Sequence, residues 1–351
     1  MSQGGLVSGG TAPAVGGTRQ ATLVVALFAA LIAALLWSVT AGRYPVPIDH
    51  VLAILAARIA EVSPVWSPTE RIVVEVVRLP RVLTAAAAGA GLSLSGAVLQ
   101  GLFRNPLVGP QTIGAASGAA LGGVTAILFL DFGLSVQFGA FAGAALALAA
   151  VLAIHRSDGL SPVLTLVLAG VVVSAFCGAL VGLVTYVADP ETKLPGVVFW
   201  LLGSFASATW PKLGLVVGCT ALAGIVMLGM RWRVNVLALG DEEARTLGVD
   251  PVRDRLVLLA AACLAISAQV AVSGTIGWVG LVIPNLARMI VGADHRRLLP
   301  VAALMGATFL VIADTLARDL TPAEIPVGIV TAIVGTPVFA YLLRRNAAGA
   351  A

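Results

Sequence analysis

Charge is what this chain lacks most. Only 11% of its 351 residues are Asp, Glu, Lys or Arg, while 59% are hydrophobic before its 39 glycines are counted. A soluble domain carries about 25% charged residues and about 45–50% apolar ones with Gly included. The chain has too few polar side chains to cover a soluble surface, and its mean hydropathy of +1.02 agrees. The same shortage excludes disorder, a coiled coil and a nucleic-acid-binding face. Lysine is nearly missing: Lys193 and Lys212 stand against nineteen arginines, which are scattered between apolar stretches. The three cysteines, Cys177, Cys219 and Cys263, each sit in an apolar stretch without CxxC spacing, which supports neither a disulfide framework nor a zinc site. The three histidines, His50, His155 and His295, fall in loops or at edges and build neither a metal cluster nor a buried relay. Neither GxxxxGK[ST] nor HExxH occurs, so the chain does not itself cradle a nucleotide in a P-loop. Ion-coupled carriers keep ionisable residues in mid-membrane. Asp314 is the exception here, and it lies near the outer end of its span, four residues before Arg318, a spacing that allows an i,i+4 ion pair. A membrane catalyst and a proton-driven carrier both lack the groups their chemistry needs.

What is present is a series of long apolar runs. Crossing the hydrocarbon layer takes about 20 mostly apolar residues in a helix. Such runs predict ten spans near 21–42, 82–103, 111–130, 133–154, 162–187, 211–230, 256–273, 275–292, 298–317 and 325–343. The charge-free stretch 256–287 is divided by Ser273-Gly274-Thr275. The stretch 195–208 is too short to cross and reads as a short helix at one surface. The run 21–42 is too long for a signal-peptide core and reads as a retained first span. Residues 1–20, rich in Gly, Ser, Thr and Ala, read as a disordered tail; 21–345 form one transmembrane domain and 346–351 a C-terminal tail. The expected class is thus all-α, a polytopic membrane protein. Ten spans put both termini on one side, and the cytoplasm is the expected side. Under that assignment the cytoplasmic segments carry thirteen Arg/Lys and the outer ones eight.

Four Gly pairs fit GxxxG: Gly118/Gly122, Gly139/Gly143, Gly178/Gly182 and Gly214/Gly218. This spacing lets helices approach closely, either within one subunit or along a dimer seam. In the outer segment 43–80, Asp49 can cap a surface helix whose Val51, Leu52, Leu55 and Ile59 recur at helical spacing. Arg78-Leu79-Pro80-Arg81 then opens the second span, with Pro80 in the first turn. Its two arginines project from one outer patch. They suit forked pairing with carboxylates or anchoring to lipid headgroups, and the residues alone leave the two readings even. Between the second and third spans, Gln100, Asn105, Gln111 and Ser117 accompany backbone broken by Pro106, Gly109, Pro110 and Gly114. Broken backbone at membrane depth needs protein or a water-filled path around it. These residues are candidates for a polar path or its inner gate, with a simple interfacial turn as the alternative. The longest cytoplasmic segment, 231–255, balances five acids against five arginines. Leu239-Gly240-Asp241-Glu242-Glu243-Ala244 reads as a turn into a short helix, and Leu247-Gly248-Val249-Asp250-Pro251 as its stop and a second start. Short helices in such a loop suit docking to a soluble partner.

Together these segments resemble the permease family of type II ABC importers, which includes vitamin B12, haem and ferric-siderophore permeases. The similarity runs over about residues 21–345. It is carried by RLPR at 78–81, SGAVLQGLFRNPLVGP at 95–110, ASGAALG at 116–122, LGDEEARTLGV at 239–249, GLVIPNLARMIVGADHRRLLP at 280–300, ADTLARDL at 313–320 and EIPVGIVTAIVGTPVFAYLL at 324–343. The resemblance implies ten helices per subunit and a homodimer with the path on its two-fold axis. It also implies two cytoplasmic ATPase subunits, one extracytoplasmic binding protein and a place in a bacterial cytoplasmic membrane. ATP chemistry falls to the separate ATPase, so no catalytic residue, cofactor or metal is expected in this chain. By the same resemblance, Arg78, Arg81 and Arg318 meet carboxylates of the binding protein. Gly240, Asp241, Ala244, Leu247 and Gly248 belong to a coupling loop, about 234–254, seated in the ATPase. Asn105 lies at the inner gate, near Gln100 and Gln111; Val108-Gly109-Pro110 departs from the small residue, acid and Pro of many relatives. A ferric siderophore is the favoured cargo, ahead of haem, vitamin B12 or an oxyanion. In other classes, a stand-alone secondary carrier and a membrane scaffold are the rivals.

Overall fold

The computed structural model describes residues 17–130, 133–155, 162–321 and 323–348. The ends of both expected tails, 1–16 and 349–351, lie outside them. Helices account for the fold, and no strand occurs among the described residues.

The first helix, α1, spans Gly17–Thr40. It begins before the expected start at 21, so four residues assigned to the tail are helical. The surface helix α2 is Ile48–Ala56, with Pro47 at its N-cap and no side-chain cap. The expected cap by Asp49 is therefore wrong: Asp49 lies within the first turn. The buried stripe is Val51 and Ile54, while Ile59 lies past the helix and is 92% exposed. After a loop, α3 (Pro68–Ile72) opens on a reciprocal capping box between Ser67 and Glu70.

That helix does not stop. It passes through a π-helical stretch, Val73–Arg78, into α4, Leu79–Leu102, so one helix runs from Pro68 to Leu102. Pro80 lacks an N–H and its ring crowds the carbonyl four residues back. Widening the preceding turn relieves both problems within a continuous helix. Pro80 thus lies in the first turn of α4, as its place after Arg78 predicts, but the helix behind it was not expected.

The remaining longer helices are α5 (Ala115–Leu130), α6 (Leu134–His155), α7 (Pro162–Val187), α9 (Trp210–Gly229), α12 (Pro251–Ser273), α13 (Val279–Val291), α14 (His295–Asp319) and α15 (Val327–Ala348). Short helices α8 (Leu194–Leu201), α10 (Arg231–Leu237) and α11 (Asp241–Thr246) join them. Among the described residues, eight helices are long and apolar enough to cross a membrane; α5 and α13, with 16 and 13 residues, are shorter. Both lose length to the broken backbone before them, at Gln111–Gly114 and Gly274–Trp278. The charge-free stretch divides where its sequence predicts, with α12 ending at Ser273 and Gly274 at φ +68°.

Helices α4 and α12 are the buried centre of the bundle, and α1, α6, α7 and α15 expose apolar faces at its periphery. Helix α4 packs on α14, α9, α12 and α13, while α5 packs on α6, α7 and α12. Glycine permits the closest crossings. A Cβ on Gly96 would stand 1.7 Å from the Gly280 carbonyl oxygen, and one on Gly89 2.2 Å from that of Gly306. The pairs Gly118/Gly122 and Gly139/Gly143 interlock across α5 and α6, so their close approach is internal. Gly178, Gly182, Gly214 and Gly218 face no neighbour within 4 Å among the described residues.

Candidate functional site

Helices α4 and α14 run antiparallel and fix two ends of the molecule. Arg81 of α4 and Asp314 of α14 meet at one end; at the other, Gly101 of α4 packs on His295 of α14. About twenty helical residues separate Arg81 from Gly101, or about 30 Å.

At the arginine end the three expected docking residues do not project. Arg78, Arg81 and Arg318 are 4%, 5% and 7% exposed. Arg81 donates from Nε to Asp314 Oδ2 at 2.9 Å, from Nη2 to Oδ1 at 3.0 Å, and from Nη1 to Glu324 Oε2 at 2.9 Å. Asp314 therefore pairs with Arg81 across the bundle and not with Arg318 one turn away, because the buried forked geometry outweighs a local pair at a helix surface. Arg318 and Arg78 converge on the end of α1. Arg78 donates from Nη1 to the Val39 carbonyl at 2.8 Å and from Nη2 to that of Tyr44 at 2.6 Å. Arg318 Nη2 donates to the Ser38 carbonyl at 2.8 Å. A helix leaves its last four carbonyls unpaired and a partial negative charge at that end, and two guanidinium groups answer both.

The opposite end holds the expected coupling loop. Gly240 (φ +147°) and Gly248 (φ +76°) bracket α11 in backbone conformations that L side chains rarely adopt. Ala244 is fully buried, while Glu242, Glu243, Arg245, Leu247 and Gly248 are exposed. The helix thus offers one face outward and rests on Ala244. Asp241 does not face outward: it accepts from Arg255 Nη2 at 2.7 Å. That hydrogen bond, aided by the charges of Arg255, Arg104 and Arg245 and opposed by burial, holds its carboxyl below the usual value. On the neighbouring α10, Arg233 Nη1 donates to Asp254 at 2.8 and 3.0 Å. Also on α10, Asn235 Nδ2 donates to Asp294 Oδ1 at 2.6 Å, and Asn235 Oδ1 accepts from the His295 backbone at 2.8 Å. Arg233, Asn235, Asp254 and Arg255 were not singled out from sequence. The one available signal was that Asp254 and Arg255 place opposite charges side by side where an apolar helix begins.

Of the polar candidates, the structure brings Gln100 and Asn105 together but sets Gln111 elsewhere. Asn105 is half-buried and closes its own turn, accepting from Leu107 N at 2.9 Å and donating its backbone N–H to Gln100 at 3.1 Å. Gln100 accepts from Arg288 Nη2 at 3.1 Å, and Asn285 Nδ2 donates to the Pro106 carbonyl at 2.9 Å, so α13 fastens this loop. Gln111 is exposed and lines two cavities at once. One, about 330 Å³, is also lined by Ser117, Ser174, Gln269 and Thr275. The other, about 120 Å³, runs past Leu107, Trp278 and Leu281. Trp278 holds φ +68°, rare for a bulky residue, with Gly335 and Phe339 of α15 against it. An open apolar groove of about 1060 Å³ along α5, α6 and α7 contains none of these residues. No group of three or more His, Cys, Asp or Glu able to hold a metal occurs among the described residues.

A helical bundle whose described residues form apolar outer faces and helices long enough to cross a membrane defines a multi-pass membrane protein. The chain belongs to the FecCD transport family, whose model matches residues 30–345. It is 44% identical over 310 residues to the molybdate import system permease of Haemophilus influenzae, covering 87% of this chain and 90% of that one. It is also 44% identical over 280 residues to the hemin transport system permease of Yersinia pestis, with 77% and 82% covered. Among solved structures it is similar to a metal-chelate type ABC transporter in an inward-facing conformation, with a TM-score of 0.82, 40% identity, and 93% and 99% of the two chains covered. The protein is accordingly a permease subunit of the type II ABC importer kind, a transport component and not an enzyme.

Proposed function

We propose that this chain forms, as a homodimer of ten-span subunits, the membrane path of an ATP-driven importer for a metal-bearing cargo. A ferric chelate such as a siderophore is the favoured cargo, with haem or cobalamin behind it. A molybdate-like oxyanion is the second reading, favoured by the similarity to the molybdate permease over most of both chains. The observation that carries the transport reading is the α11 segment: a six-residue helix with one exposed face, tied to α12 by the Asp241–Arg255 ion pair at its first residue, with the preceding α10 tied to α12 by Arg233–Asp254. In this reading its exposed face seats in one of two cytoplasmic ATPase subunits, both termini are cytoplasmic, and the membrane is the bacterial cytoplasmic membrane. ATP binding draws the segment, and the helices rock around the path beside Gln111, with Asn105 and Gln100 at its inner mouth. The path holds few charges, so cargo selection rests with a binding protein at the arginine end. Because Arg78, Arg81 and Arg318 are already bonded internally, an incoming carboxylate reaches Arg81 by taking the place of Glu324, its more exposed partner. Open Gly faces on α7 and α9 support a second copy packing there.

The test is mild-detergent purification of the tagged chain from its native membrane, with mass spectrometry of everything bound. A P-loop ATPase and an extracytoplasmic binding protein are expected, and the small molecule in the latter names the cargo. A stable lone monomer, under conditions that preserve other ABC complexes, would overturn the reading.

A further inference from the structure

The α10–α11 segment hangs from two consecutive residues. Asp254 holds Arg233 of α10, and Arg255 holds Asp241 of α11, so one turn of α12 grips each of the two short helices once. Both holding residues are buried, at 2% and 4% exposed. The opposite signs mean that neither clasp can exchange partners with the other. Helix α12 then runs straight through the centre of the bundle to Ser273. There its far end is tied again: the Ser273 carbonyl accepts from Ser204 N at 2.8 Å, and Gln269 Nε2 donates to Ser273 Oγ and to the Gly274 carbonyl, each at 2.8 Å. Gly274 leads directly to Thr275, Ile276, Gly277 and Trp278, which with Gln111 wall the two cavities. One helix therefore connects the presented segment to the break in the path.

We infer that Asp254 and Arg255 are positioning residues that convert displacement of the α10–α11 segment into movement of α12 and so of the Gly274–Trp278 break beside Gln111. This rests on the importer reading above. Neither residue touches cargo or nucleotide. Arg255 forks onto Asp241 through Nη1 and Nη2, and Arg233 reaches both oxygens of Asp254 through Nη1 alone; displacing either outer partner leaves a buried charge on α12 unpaired, so the two contacts transmit a pull. Contiguity alone does not establish coupling, so the test reads the break itself.

The experiment uses the full complex of permease, ATPase and binding protein in lipid nanodiscs. Leu107→Cys, on an exposed residue at the smaller cavity, reports opening through its alkylation rate by a membrane-impermeant maleimide; Cys177 and Cys263 are buried, and the half-buried Cys219 is replaced by Ser in every variant. A non-hydrolysable ATP analogue is expected to change that rate about fivefold or more. In Asp254→Asn and Arg255→Gln the ATPase stays bound but the nucleotide response falls to near onefold, and Arg255→Lys restores it. A response in both neutralised variants equal to the parent's overturns the inference. Should a buried substitution prevent folding, Arg233→Gln removes the α10 clasp from its more exposed side and is read the same way. If the parent chain retains no ATPase, the importer reading itself fails; a parent that responds with variants that respond equally defeats only the clasp.

Discussion

Arg81 and Asp314 lie 233 positions apart in the chain and face each other in a two-pronged ion pair, with the aspartate 1% exposed and the arginine side chain 7% exposed. Together with Glu324 they lock the start of α4 to the end of α14. A buried pair of this kind adds little over well-packed apolar residues, but losing one partner strands a charge.

Removing one partner is therefore expected to be much worse than removing both. Asp314→Ala should cost about 3–5 kcal/mol in denaturant unfolding in detergent. Arg81→Met combined with Asp314→Leu should cost clearly less than Asp314→Ala alone. Equal or greater loss in the double variant would show that the cost comes from losing the pair itself and not from a stranded charge.

The glycines divide into two groups with opposite expectations. Gly96→Ala and Gly122→Ala would place a Cβ 1.7 and 1.9 Å from the carbonyl oxygens of Gly280 and Gly139, so a helix must shift, costing about 1–3 kcal/mol. Gly214→Ala and Gly218→Ala meet nothing within 4 Å, and removing helical Gly favours the helix by up to about 1 kcal/mol. Thermal melting of the four variants should separate them cleanly. If the α9 substitutions leave monomer stability intact yet weaken self-association on a sizing column, that face belongs to the second copy.

The Asp241–Arg255 clasp should be insensitive to physiological pH. Asp241 is held below its usual value of 3.8, first by the hydrogen bond from Arg255. A carboxyl lowered on folding contributes stability that is fully present above its unfolded value and lost as pH falls through the folded one. The melting-temperature difference between the parent and Asp241→Asn should stay constant from about pH 5 to 8 and shrink below about pH 4. A difference that changes between pH 6 and 8 would mean another group controls this contact.

What could be read from the sequence was whatever is written locally. Apolar runs placed the spans, Gly274 marked the division before α13, and Gly240 and Gly248 bracketed α11 because their backbone angles disfavour other residues. Partnerships across the bundle left no local trace. The i,i+4 spacing offered Asp314 to Arg318, and only the antiparallel packing of α4 on α14 brought Arg81 instead. The arginines looked outward because the α1 carbonyls they bond belong to a distant segment. Likewise, four GxxxG pairs look alike in sequence, yet two interlock and two stand open. The π-helical turn before Pro80 depends on α3 continuing into α4, which a Pro near a helix start does not announce.

The side-by-side arrangement of Asp254 and Arg255 sets how this region can drift over generations. Each residue added to or deleted from a helix turns everything beyond it by about 100°. A one-residue insertion between Asp250, which caps α12, and Arg255 would carry both clasps off their partners in a single event. Substitutions at Glu242, Glu243 or Arg245, which stand exposed, carry no such penalty. The exposed face of α11 is thus free to change, while the spacing from Asp250 to Arg255 resists insertions and deletions.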